Sequence, residues 1–374
     1  MDISALLNIM YERGGSDLHL RVGSPPLLRV DGVLEPLEQE RLGVPQLKEM
    51  QDLVLTPKQK QTLEDELAVD SSYSIEGFKR FRINVFYQRS TIAMVFRNIA
   101  TAVPSLEGLG LPLVLQSLCE KPQGLVLVCG PTGSGKSSSL AAMLQYINTT
   151  RRVHVITIED PIEYLFRDDQ AFITQREIGM DTPDYETALK NAMRQDPDVM
   201  LIGEIRNMET MTTALSAAET GHLVFTTVHA NSSYEAISRI VDAFPVDDRH
   251  QIRKQLSEVL IGSVFQRLIP LKNAEGRVPA VEILIKSPRI KDLIEKNELR
   301  TVREEMERSV NVHRMQSLEQ SMIALLANKQ ISYKDAQTFT LMPGEMKLTM
   351  DKLGINEDGD IIEKGVIKDE GIQF

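Results

Sequence analysis

Eight consecutive residues, Gly130-Pro131-Thr132-Gly133-Ser134-Gly135-Lys136-Ser137, constrain this chain more than any other feature. Three glycines so close together suit neither a strand nor a helix, so the segment must be a loop. The run before it, 125–129 (LVLVC), is apolar and of strand length, and the run after it, 138–147 (SSLAAMLQYI), fits a helix. Strand, glycine loop and helix, closed by Lys and Ser, satisfy the G-x-x-x-x-G-K-[ST] pattern in its proper context. In that pattern backbone N–H groups wrap phosphate oxygens and the helix N-terminus adds positive potential. Lys136 then meets the β- and γ-phosphates, and Ser137 offers its hydroxyl to Mg²⁺. The expected ligand is ATP with Mg²⁺, and the expected contacts run from Gly130 through Ser137 to Ser138.

A loop of this kind needs a sheet behind it. Apolar runs at 125–129, 153–158, 199–202 and 223–228 alternate with helical patterns, the grammar of a buried, mostly parallel sheet in an α/β fold. From about 247 to 340 the pattern reads as mainly helical, apart from a strand at 280–285. Residues 1–103 read instead as a smaller α+β module, with a strand at 18–22, a hairpin of 27–30 and 33–37 turning at Asp31-Gly32, a helix opened by Thr56-Pro57, and strands at 72–75, 81–88 and 92–99. The Pro- and Gly-rich stretch 104–112 marks a linker between that module and a second domain, 113–345. The acidic tail 346–374 is expected to be weakly ordered.

Composition narrows the function classes. The chain has 374 residues, and no apolar run approaches the ~18 of a membrane-spanning helix. Its start has no basic region and no cleavage-site pattern, so a cytoplasmic protein is expected. Cys119 and Cys129 are the only cysteines, too few for a disulfide framework. The formal net charge of −11 and the lack of any long basic run disfavour a nucleic-acid partner.

Three more constellations carry chemistry. The strand 199–202 ends in Gly203-Glu204, where many P-loop enzymes have an Asp that holds the Mg²⁺ shell in place of Gly203. A carboxylate must then come from elsewhere, and Ile158-Glu159-Asp160-Pro161-Ile162-Glu163 delivers three acids at a strand tip. Such acids order metal-bound water or accept a proton from an attacking water. Glu204, with Ser137, is the candidate for the metal shell and Glu163 for the water, roles that could be exchanged. In TGHLVFTTVHA, His222 precedes a strand and His229 ends it, so the two do not converge on one metal; His229 stands where nucleotides bind in such sheets. In the first module Arg80, Arg82 and Asn84 share one strand face and Arg97 lies on a neighbouring strand, either a solvated face or cations offered in trans to a neighbour's phosphates.

The loop GPTGSGKS, the acidic box TIEDPIEY, the variant LIGEIRN and the histidine box TGHLVFTTVHA resemble, in order and spacing, the type II/IV secretion ATPases. RFRINVFYQ, SDLHLRVGSPP and RMQSLEQSM narrow the resemblance to PilT/PilU-type retraction motors of type IV pili, over about residues 3–340. The resemblance implies a PAS-like N-terminal domain, a RecA-like ATPase domain and a homohexameric ring that powers pilus retraction and twitching motility. It also implies a location at the inner-membrane base of the pilus, on a platform protein. By motif match Lys136 and Ser137 serve the phosphates, Glu163 and Glu204 are the catalytic acids, His229 is a sensor, and Arg82 and Arg97 face phosphate. The segment 288–295 (PRIKDLIE) is nearer to the accessory motors, which implies work beside a second retraction motor. The alternatives are a pilus extension ATPase, which the short N-terminus and missing cysteine cluster oppose, and a nucleic-acid-translocating RecA-like ATPase, which the charge opposes.

Overall fold

The computed structural model describes residues 2–75, 79–99, 102–205 and 207–361. By contacts they form two compact units, the first comprising 1–102 with 160–166 and 177–183, the second the remainder.

The first unit contains α1 (Ile3–Glu12), β1 (Asp17–Arg21), β2 (Leu27–Val30), β3 (Val33–Pro36), α2 (Val44–Val54), α3 (Pro57–Glu66), β4 (Ala68–Ile75), β5 (Lys79–Gln88) and β6 (Thr91–Asn98). The Asp31-Gly32 turn has positive φ at both residues, 49° and 83°, as a two-residue hairpin between twisted strands requires. Thr56 caps α3 reciprocally with Gln59, whose side chain accepts from the Thr56 N–H at 2.9 Å. Among the described residues the strands form an antiparallel sheet in the order β3-β2-β1-β6-β5-β4. Alternation turns Leu18, Leu20, Phe81, Ile83, Val85, Met94 and Phe96 into a core with Leu6, Leu7 and Met10 of α1. The opposite face keeps Asp17, Arg82 and Arg97.

The second unit begins with α4 (Val114–Cys119), β7 (Gly124–Cys129), α5 (Lys136–Thr150), β8 (His154–Glu159) and β9 (Phe172–Glu177), whose last residue groups with the first unit. It continues with α6 (Tyr185–Ala192), β10 (Val199–Ile202), α7 (Met208–Glu219), β11 (Leu223–Val228), α8 (Ser233–Asp242), α9 (Arg249–Val259), β12 (Leu260–Pro270) and β13 (Arg277–Ile285). The last helices are α10 (Pro288–Glu295), α11 (Leu299–Arg308), α12 (Val310–His313), α13 (Leu318–Ala327), α14 (Tyr333–Phe339) and α15 (Pro343–Leu353). The sheet order is β13-β12-β7-β11-β10-β8-β9. The strands β12, β7, β11, β10 and β8 run parallel, with β13 antiparallel at one edge. Every residue of β7 and β10 is buried, so both faces of the sheet are covered there. Each such Val or Leu contributes about 1.5–3 kcal/mol relative to exposure, so the P-loop follows a strand held by burial on both faces. Among the described residues no helix is long and apolar enough to cross a membrane.

Two expectations are corrected. Residues 260–270 are a strand, not part of a helical region. Flanked by β7 and β13, β12 is buried over most of its length, so its sequence lacks the alternation that marks a half-exposed strand. Weak order from residue 346 onward fails as far as Leu353. Met346 and Met350 are buried on α15, and Gly354 ends that helix in the left-handed region at φ 65°. Beyond it Ile355 is buried and bridges Ile361, and the remainder of the expected tail, 362–374, lies outside the described residues.

Candidate active site

Three segments of the second unit meet at the carboxyl edge of neighbouring strands: the P-loop after β7, His229 after β11 and Glu204 after β10. Lys136 opens α5, and its Nζ donates to the carbonyls of Gly130 and Pro131, each at 3.0 Å, so the ammonium folds over its own loop. Glycine is obligatory at two points. A Cβ on Gly130 would stand 2.5 Å from the Gln266 carbonyl, and one on Gly135 2.7 Å from Gln266 Nε2, both at positive φ. Gln266, on β12, also donates to the Ser134 carbonyl at 2.8 Å and accepts from Ser139 Oγ at 2.6 Å.

The loop fits a phosphate-bearing ligand. No side chain caps α5, whose N-cap is Gly135, and the buried Ser134 hydroxyl has no hydrogen-bond partner. A buried hydroxyl without a partner costs about 1–3 kcal/mol, a cost that a ligand oxygen removes. Among the described residues no group of three or more His, Cys, Asp and Glu is placed to hold a metal by itself. A Mg²⁺ held here would therefore depend on phosphate oxygens and water as well as on Ser137 and Glu204.

Glu204 Oε1 lies 3.4 Å from His229 Nε2. The preceding Gly203 has a steric explanation: a Cβ there would sit 3.2 Å from both the Ile158 carbonyl and the Tyr185 hydroxyl. The Gly203 N–H donates to that same carbonyl at 2.8 Å, and its own carbonyl accepts from Thr227 Oγ1 at 2.6 Å. A side chain at this position would be crowded unless those neighbours shifted by a few tenths of an ångström, and the neighbouring acid is Glu159, which accepts from Thr157 Oγ1 at 2.6 Å and from Gln175 Nε2 at 3.2 Å. His222 stands at the other end of β11, its Nδ1 2.9 Å from the Ala217 carbonyl.

Glu163 and the arginines belong to the first unit. Glu163 is exposed, next to Ile162, whose N–H donates to Glu177 at 3.2 Å. Glu177 is buried and pairs with Arg80 at 3.1 Å, so Arg80 anchors the acidic box. Arg82 and Arg97 are direct cross-strand neighbours. Two cations so placed repel, and each has an acid beside it: Asp70 lies 3.8 Å from Arg82, and Asp17 2.8 Å from Arg97. Burial pushes the Asp17 carboxyl up, but hydrogen bonds from Ser16 and Arg97 and the Arg97 charge outweigh it and hold the carboxyl below its ordinary value. Sequence reading missed Gln266, Glu177 and Asp17, and named Glu159 only as one of the three acids of the box, with no role of its own.

The chain is similar to known proteins over most of its length. A family model described as type II/IV secretion system protein matches residues 81–340. The type IV pilus ATPase PilU of Pseudomonas aeruginosa is 40% identical over 96% of this chain and 94% of its own length. The type IV pilus retraction ATPase PilT of the same organism is 40% identical over 92% of this chain and 99% of its own. A crystal structure of the pilus retraction motor PilT with bound ADP superposes with a TM-score of 0.85 at 41% identity, covering 93% of this chain and 99% of that one. The second unit is thus a RecA-like P-loop domain, and the chain belongs to the type II/IV secretion ATPase family, on its PilT/PilU branch.

Proposed function

We propose that this protein is a motor ATPase that hydrolyses ATP to retract type IV pili and so drives twitching motility. The observation that carries this reading is the P-loop with Glu204 and His229 on adjoining strand ends, in a chain that matches pilus ATPases over nearly its whole length. Lys136 leaves the carbonyls of Gly130 and Pro131 to meet the β- and γ-phosphates, and the backbone of Gly130 to Ser138 cradles them. Mg²⁺, when bound through Ser137 and phosphate, neutralises charge that develops on the phosphoryl group. Glu204 orders water in that shell, His229 orients the Glu204 carboxylate, and Glu163 polarises the attacking water.

The working form is a homohexamer in which Arg82 and Arg97 of one subunit serve the phosphates of its neighbour. It works in the cytoplasm, docked on a platform protein at the inner-membrane base of the pilus, beside a second retraction motor. One cycle of closure moves one part of the chain against another, and the platform converts that motion into filament withdrawal. Lys136→Ala should abolish ATP hydrolysis while leaving the fold intact. A strain carrying only that variant should keep or accumulate surface pili and fail to twitch against load. Loss of all surface pili would show an extension motor, and unaltered hydrolysis would remove the P-loop from the mechanism.

A further inference from the structure

Gln266 is almost wholly buried, on a strand the P-loop motif does not include, and its side chain holds the loop from two sides. Its Nε2 donates to the Ser134 carbonyl at 2.8 Å, and its Oε1 accepts from the Ser139 hydroxyl at 2.6 Å, on α5. The amide thus joins the crest of the loop to the helix that follows; Gly135 leaves room for its Nε2, and Gly130 leaves room for the Gln266 backbone carbonyl. In a trans peptide the carbonyl and the next N–H point in opposite directions. Drawing the Ser134 carbonyl toward β12 therefore turns the Gly135 N–H the other way, away from β12.

We propose that Gln266 is a positioning residue of the nucleotide site, a strut that fixes the Ser134–Gly135 peptide so that its N–H faces phosphate. The proposal rests on the reading of this loop as an ATP site. An amide is needed because the strut must donate at one end and accept at the other, which neither a carboxylate nor an aliphatic side chain does. Strand alternation sends the neighbouring Arg267, and Glu282 opposite Phe265, to the other face of the sheet. The charged group at the loop itself is Lys136, at the start of α5.

Gln266→Glu tests this in the full chain, with ATP affinity and turnover read against wild type at each pH. At pH 8 the introduced carboxylate faces the Ser134 carbonyl without a proton to donate, and KM for ATP should rise about tenfold or more with a smaller change in kcat. Burial favours the protonated form, which donates again, so the deficit should shrink toward pH 6. Gln266→Leu should be weak at every pH. Ser139→Ala, a milder change that frees the Oε1 end, should raise KM severalfold and serves if the first variants do not fold. Wild-type KM in Ser139→Ala and Gln266→Glu, or a Gln266→Glu deficit that ignores pH, would overturn the assignment while leaving the ATPase reading standing. A wild-type chain that bound no ATP would overturn both.

Discussion

The P-loop edge of the second unit and the arginine face of the first hold their charged groups in opposite ways. At the P-loop, backbone carbonyls, the buried Gln266 amide and a fully buried strand fix the geometry before any ligand arrives. On the β5–β6 face, Arg82 and Arg97 stand exposed beside acids that a phosphate would have to replace. The first arrangement is preorganised, and loss of its central cation, Lys136, should be absolute. The second is an exchange of ionic partners, and its losses should be graded.

The sharpest way to break that contrast is at the acids. Glu204→Gln and Glu163→Gln should each cut turnover about 10²-fold with nucleotide binding retained, as a coupled ATPase assay and a fluorescent-nucleotide titration would read. Near-normal turnover in Glu163→Gln would sink its assignment. Smaller effects belong to the arginine face, where Arg82→Gln or Arg97→Gln should lower the rate by about tenfold each without weakening nucleotide binding in the isolated subunit.

The smallest effect is on stability and comes from Glu282, buried on β13, which accepts from the Ser233 N–H at 2.6 Å at the start of α8. Burial pushes its carboxyl up from 4.5 to about 7. The folded chain then keeps a proton that the unfolded chain releases, so this group's contribution is full below pH 4.5, fades as pH rises and is gone above 7. Glu282→Gln should melt a few degrees higher than wild type at pH 8 and at the same temperature near pH 4.5, by calorimetry.

The same contrast explains what could be read from the chain alone. A P-loop is legible because its chemistry is local: three glycines, a lysine and a hydroxyl within eight residues, between a strand and a helix. The Asp31-Gly32 hairpin and the Thr56-Pro57 helix start are legible for the same reason. Gln266 is not, because its partner Ser134 lies 132 residues away and nothing in LIGSVFQRLIP tells a strand buried on both faces from a helix. Nor could the ion pairs of Arg80 and Arg97 be foreseen, since Glu177 and Asp17 meet them only through folding. Gly203 was visible as an anomaly, but its cause, crowding by Ile158 and Tyr185, is tertiary.

The central claim is that one hydrolysis site needs the P-loop of one subunit and the arginines of another. Mixing Lys136→Ala with the double variant Arg82→Gln/Arg97→Gln tests it directly, because each protein alone should be inactive or nearly so. Random mixed rings would pair an intact loop with an intact arginine face at about a quarter of their sites, and the equimolar mixture should regain a comparable share of the wild-type rate. A mixture no more active than its two components would contradict the claim.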